Sequence, residues 1–132
     1  MDNAMNETGR PLILVAEDDD SNFKLIKAIA GKKCNLIWAH NGLEILDLHK
    51  QHRAETKLIL MDIKMPEMNG LEATKAIRQA DKEIPVLMQT AYAFASDREK
   101  ALEAGANEVL VKPITIGVLR AAISRYIPEL AW

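Results

Sequence analysis

A chain of 132 residues, 48% apolar and 27% charged, has the size and composition of one globular domain around a single core. Its formal charge of −2 gives no electrostatic pull toward nucleic acid, and its lone cysteine, Cys34, excludes an internal disulfide framework and leaves nothing with zinc spacing. The opening MDNAMNETGR lacks the apolar centre of a secretory signal, and no apolar run approaches the roughly 18 residues of a membrane span, so a cytoplasmic domain that binds neither membrane nor nucleic acid by itself is expected.

Residues 1–10 read as a flexible tail. From Leu12 the sequence runs LILVAEDDDSNFKLI: five apolar residues, four consecutive carboxylates, then apolar residues at helical spacing from near Ser21. Two carboxylates about 4 Å apart repel by roughly 4 kcal/mol at an effective dielectric near 20, so the run has a cost. Capping and the positive end of a helix dipole account for Asp19 and Asp20. A second strand, NLIWA, carries Trp38 packed on it and leads to a helix from near Gly42. His49 and His52 on that helix are three apart but lack further ligands, and read as solvated.

The third strand, LILMD, ends at Asp62; Pro66 and the pair Asn69-Gly70 mark a loop, and a helix starts near Gly70. PVLMQT forms a fourth strand ending at Thr90. Ser96 and Glu99 have capping-box spacing for a fourth helix that Gly105 stops, and this helix offers only Ala101, Leu102 and Ala104 for burial, so it is the element held most weakly. EVLVKP is a fifth strand. Thr115 caps a last helix with an apolar stripe of Val118, Leu119, Ala122, Ile123 and Tyr126. Met61, Met65, Met68 and Met88 read as core and loop filler.

Strand and helix thus alternate five times, which argues for a parallel sheet with helices on both faces, and the unbroken apolar runs at Leu12–Ala16 and Leu58–Met61 suit central strands. The domain body is expected over residues 11–128, with 129–132 as a C-terminal tail. In such sheets ligands lie beyond the carboxyl ends of the strands. Those ends deliver Glu17 and Asp18, then Asp62, then Thr90 and Ala91, then Lys112 before Pro113. Three carboxylates with one ammonium lack positive charge, and oxygen ligands alone select a hard cation such as magnesium.

VAEDD, LMDIKMPEMNG, QTA and VKP, in this order on five strand–helix units, resemble the receiver domain of two-component response regulators from about Pro11 to Pro128. The resemblance implies a flavodoxin-like, doubly wound α/β fold with a five-stranded parallel sheet in order 2-1-3-4-5 and five helices. It implies that Asp62 accepts a phosphoryl group from a phosphohistidine on a histidine kinase or histidine phosphotransfer protein. Magnesium would be held by Asp18 directly, by Glu17 through water, by Asp62 and by the Lys64 backbone carbonyl. Thr90 and the Ala91 N–H would bond the phosphoryl oxygens and Lys112 would pair with them. Docking would use the first helix and the loop after the fifth strand, with Phe23 and Ile114 as apolar contacts, although Phe23 suits the core equally well.

MDIKMPEMNGLEATKAIR together with Asn22 most resembles the receivers of hybrid histidine kinases. A haloacid-dehalogenase-like phosphatase is the alternative; such enzymes place a second aspartate two residues after the nucleophile, where this chain has Lys64, and the chain leaves no room for a substrate cap. Nucleotide binding lacks a glycine-rich phosphate loop. Lys64 and Tyr92 flank the site where receivers vary, and their bulk predicts slow self-dephosphorylation. One departure from the family stands out: Val109 occupies the position, three before Lys112, where many receivers carry a Tyr or Phe that turns inward.

Overall fold

The computed structural model describes residues 9–91 and 94–132. Strands β1 (Leu12–Ala16), β2 (Asn35–Ala39), β3 (Thr56–Asp62), β4 (Val86–Thr90) and β5 (Glu108–Val111) alternate with helices α1 (Asp20–Ala30), α2 (Gly42–His52), α3 (Gly70–Ala80), α4 (Ala95–Ala104) and α5 (Ile116–Tyr126). The strands pair in parallel in the order β2-β1-β3-β4-β5, the doubly wound arrangement that the resemblance implies. The chain leaves β1 outward to β2 and then crosses back to β3, so the strand order reverses between β1 and β3. A ligand crevice opens there in such sheets.

Alternating residues of the central strands supply two separate cores. Ile13, Val15, Leu58, Leu60 and Leu87 meet Ile26 of α1 and Leu119 and Ile123 of α5 on one face. Leu14, Ile59, Met61, Val86 and Met88 meet Ile45 of α2, Ile77 of α3 and Ala101 of α4 on the other. Burial on both faces is why β1 reads as an unbroken apolar run.

Side-chain caps fix most helix starts. Asp19 accepts the Ser21 N–H at 3.0 Å and Asp20 lies in the first turn of α1, which gives both acidic residues the capping and dipole roles expected of them. Asn69 and Glu72 form a reciprocal capping box on α3, and Thr115 caps α5 through the Val118 N–H. Gly105 closes α4 in the left-handed region, at φ +115°.

Several expectations are corrected. The capping box at Ser96 and Glu99 does not form: the N-cap falls two residues earlier, at Phe94, with no side-chain cap hydrogen bond, so Ser96 already lies inside the first turn. Leu102 and Val118 are largely exposed, which narrows the buried stripe of α4 to Ala101 and Ala104 and that of α5 to Leu119, Ala122 and Ile123. His49 is buried rather than solvated, its Nε2 3.1 Å from Asp81 Oδ2, and it ties α2 to the end of α3. His52 is half-buried beside Glu55. The segment 129–132 folds back: Leu130 and Trp132 pack on the core, with the Trp132 indole donating to Ser124 Oγ at 2.7 Å. Of the expected N-terminal tail, residues 1–8 lie outside the described residues, as does Tyr92.

Candidate functional site

At the reversal point the ends of β1 and β3 release their first polar residues side by side. Glu17 follows Ala16 and is fully buried; Asp62 ends β3 at 5% exposure; Asp18 is exposed. One oxygen from each of the three carboxylates can be chosen so that all lie within 4.8 Å of one another. The sheet itself imposes this closeness, because β1 and β3 are direct neighbours with Ala16 opposite Met61.

A lysine answers both buried acids. Lys112, delivered by the end of β5, places Nζ 3.2 Å from Asp62 Oδ2 and 3.4 Å from Glu17 Oε1. One ammonium cannot neutralise both carboxylates. Burial, then the adjacent Glu17, push the Asp62 carboxyl up to about 7, against the opposing pull of Lys112. Burial works to lower the Lys112 ammonium, yet Asp62 and Glu17 together raise it. The site therefore holds its acids in deficit of positive charge, and three clustered carboxylates form a donor set that suits a hard divalent cation such as magnesium.

Around these groups lies a cavity of about 210 Å³ lined by Glu17, Asp18, Asp19, Asp62, Ile63, Lys64, Thr90, Ala91 and Lys112. Every residue proposed from the sequence for phosphoryl or metal chemistry lines this one cavity. Thr90 is buried at the end of β4, whereas Ala91 and Lys64 are exposed. The backbone of Asp62 is held from outside by α3: the Gly70 N–H donates to the Ile63 carbonyl at 2.8 Å, and a Cβ on Gly70 would come within 2.2 Å of the Asp62 carbonyl oxygen. Only glycine allows that approach.

Two sequence proposals fare differently. Phe23 is 9% exposed and Ile114 3%, and both belong to the core beneath α1 and α5. Phe23 stacks on Trp38, with ring centroids 4.2 Å apart and planes 5° apart. Neither side chain offers surface to a partner, because the apolar face each occupies is already covered.

Sequence reasoning missed the polar links behind the cavity. The Asn22 side-chain amide donates to Glu17 Oε1 and, at 3.3 Å, to Gln89 Oε1. Gln89 is fully buried beside Asp62 in the β3–β4 register, and its Nε2 finds no hydrogen-bond partner among the described residues. The Asp19 N–H donates to Glu17 Oε2 at 3.2 Å, and the Trp38 indole donates to the Glu17 carbonyl at 2.7 Å. A buried glutamine inside the apolar run VLMQT was the one visible signal.

Comparison with known proteins agrees with this geometry. The response regulator receiver domain family matches residues 13–124. The polar-differentiation response regulator DivK of Brucella anthropi is 37% identical over 120 residues, covering 89% of this chain and 96% of that protein. Hybrid signal transduction histidine kinase I of Dictyostelium discoideum is 39% identical over 129 residues, covering 89% of this chain but only 7% of the kinase. Among solved structures, a CheX–CheY–BeF3–Mg2+ complex of Borrelia burgdorferi superposes with a TM-score of 0.84 at 25% identity, over 91% of this chain and 92% of that one. The receiver domain of Saccharomyces cerevisiae Ssk1, crystallised with the histidine phosphotransfer protein Ypd1, superposes with a TM-score of 0.82 at 28% identity, over 89% and 88%.

Proposed function

The chain belongs to the response regulator receiver domain family of two-component signalling, and from that premise we propose that it accepts a phosphoryl group on Asp62 from a phosphohistidine, with magnesium bound at the acidic cluster. The observation that carries this reading is the buried Asp62 carboxylate set between Glu17 and the Lys112 ammonium.

In the proposed reaction an Asp62 carboxylate oxygen attacks phosphorus, the P–N bond to the partner imidazole breaks, and its electron pair returns to the ring nitrogen. Such transfers require positioning and charge neutralisation more than covalent chemistry. Glu17, Asp18, Asp62 and the Lys64 backbone carbonyl would hold magnesium, which neutralises charge on the phosphoryl oxygens when bound. Lys112 pairs with those same oxygens, and Thr90 and the Ala91 N–H donate hydrogen bonds to them.

The donor is proposed to be a histidine kinase or a histidine phosphotransfer protein, docking over α1 and the loop after β5. The yeast relative crystallised with such a protein supports that class of partner. With Phe23 and Ile114 buried, they support this face from beneath, while Ile116, 54% exposed at the start of α5, is available for contact.

Incubation with acetyl phosphate and magnesium tests the reading. One acid-labile phosphoryl group per chain is expected by intact-mass analysis, none without magnesium and none in Asp62→Asn. An Asn variant labelled as efficiently as wild type would overturn the acceptor assignment. Release of phosphate in many rapid turnovers would instead favour a phosphatase of the haloacid-dehalogenase type.

A further inference from the structure

The end of β1 is held by a device outside the cavity. The Glu17 N–H donates to the Ala39 carbonyl at 2.9 Å, the last rung between β1 and β2. Beyond Ala39 the chain turns away, and the His40 N–H donates to Glu44 Oε1 at 2.8 Å. Among the described residues, no further rung of that ladder receives the Glu17 carbonyl. The Trp38 indole N–H takes that place at 2.7 Å.

We infer that Trp38 is a positioning residue for the metal site, fixing the Glu17–Asp18 peptide plane by clamping the Glu17 carbonyl. This rests on the magnesium reading of the cavity. A peptide unit is planar, so the Glu17 carbonyl and the Asp18 N–H and Cα share one plane. Holding the Glu17 N–H on Ala39 and its carbonyl on Trp38 fixes the direction in which Asp18 leaves the strand. Two proposed ligands are thereby set relative to each other, and Asp18, itself exposed, is oriented through its backbone.

The indole is in turn flanked by two stacked rings. Phe23 of α1 lies parallel to it at 4.2 Å, and the His40 ring lies on it at 4.2 Å with planes 29° apart. Phe23 thus acts on the site through Trp38. An indole N–H can only donate, so it pins a carbonyl and has no alternative role as acceptor. Outer groups of this kind that orient metal ligands typically change metal affinity by 10- to 100-fold when removed.

The test separates the N–H from the shape of the ring. In the full chain carrying Trp132→Phe, the remaining tryptophan is replaced biosynthetically by 5-fluorotryptophan, which keeps the N–H, or by 3-benzothienylalanine, which keeps the stack and puts sulfur in place of the N–H. Magnesium binding is measured by calorimetry and metal-free stability by thermal melting. The benzothienyl protein is expected to bind Mg2+ about tenfold more weakly than the fluoro protein, at the low end of the range for outer-shell losses, and Trp38→Phe to show the same loss. Equal Mg2+ affinity in the fluoro and benzothienyl proteins overturns the inference, including the case in which only the melting temperature falls. Absence of Mg2+ binding by the unaltered chain overturns the magnesium reading itself, and this inference with it.

Discussion

Asp62 is proposed to be built for a charge that the metal-free domain cannot comfortably hold, and Asp62→Asn should therefore stabilise the domain in EDTA. The carboxyl is 5% exposed and ionises near 7 instead of its ordinary 3.8. Burial is the first cause and Glu17 the second. The unfolded chain releases this proton near 3.8 while the folded domain keeps it to about 7, so raising the pH across that interval favours the unfolded chain. Stability contributed by this group is complete below the lower value, falls through the interval, and levels off above it. The full difference corresponds to about 4 kcal/mol. Asparagine also forgoes the attraction to Lys112, 3.2 Å away, and leaves that ammonium to Glu17, so a net gain of about 2 kcal/mol is expected. For a domain of this size that raises the melting temperature by roughly 5–10 °C.

Thermal melts of wild type and variant in EDTA, at steps from about pH 4 to about pH 8, provide the measurement. The variant should melt higher at neutral pH and lose most of the wild-type decline across the interval. Magnesium should then stabilise wild type more than the variant, because ligands that bind only the folded state raise its stability and the variant has lost one of the three carboxylates. A variant no more stable than wild type at neutral pH, or one with an unchanged pH slope, would refute the claim that Asp62 and Glu17 compete for Lys112.

Gly70→Ala places a Cβ within 2.2 Å of the Asp62 carbonyl oxygen, so α3 must retreat; a loss of roughly 2 kcal/mol in urea denaturation and slower acetyl phosphate labelling are expected, and unchanged values in both would show that the helix start yields freely. Ile114→Ala empties a core position that is 3% exposed and should cost about 2–4 kcal/mol, whereas a loss below about 1 kcal/mol would place the side chain at the surface. Lys64→Ala removes an exposed chain from the rim of the cavity and should speed loss of the phosphoryl group severalfold; an unchanged or longer phosphoryl lifetime would exclude obstruction by Lys64. Val109 is half-buried and has no ring to swing, so beryllofluoride should shift amide resonances mainly around Asp62, Thr90 and Lys112; large shifts across residues 96–126 with tight dimerisation would contradict this.

The parts legible in the sequence were those that one strand or one helix determines alone. LILVA must be buried on both faces wherever it sits, and the residue following such a run must emerge at a strand end, which is why Glu17, Asp62, Thr90 and Lys112 could be nominated for one edge. Strand order was of another kind: alternating strands and helices admit several parallel orders, and 2-1-3-4-5 came from the resemblance. What stayed hidden depends on contacts across the chain. His49 looked solvated because its partner, Asp81, lies on another element 32 residues away. Ser96 satisfied the capping spacing, yet the helix starts two residues too soon for it to serve. Phe23 looked equally suited to core and docking surface, and its burial in the cluster with Ile26 and against the ring of Trp38 decides for the core.

These failures share a cause with the successes at the site. A pattern of apolar residues reports which face is buried but not which distant group satisfies a polar atom placed there. Gln89 in VLMQT and the carboxylates after LILVA and LILM all break the apolar pattern, and breaks of that sort concentrate where function outweighs local consistency. Glu17 makes the point most sharply. Fully buried, it is approached by Asn22, Lys112 and the Asp19 N–H at its carboxylate and by Trp38 at its carbonyl, so its desolvation is offset by four groups drawn from the first helix and its cap and from two other strand ends. Such convergence is costly to assemble for a residue that merely fills space, since an apolar side chain there would need none of it. The arrangement is economical only if the carboxylate itself is required, as it is in the proposed magnesium site.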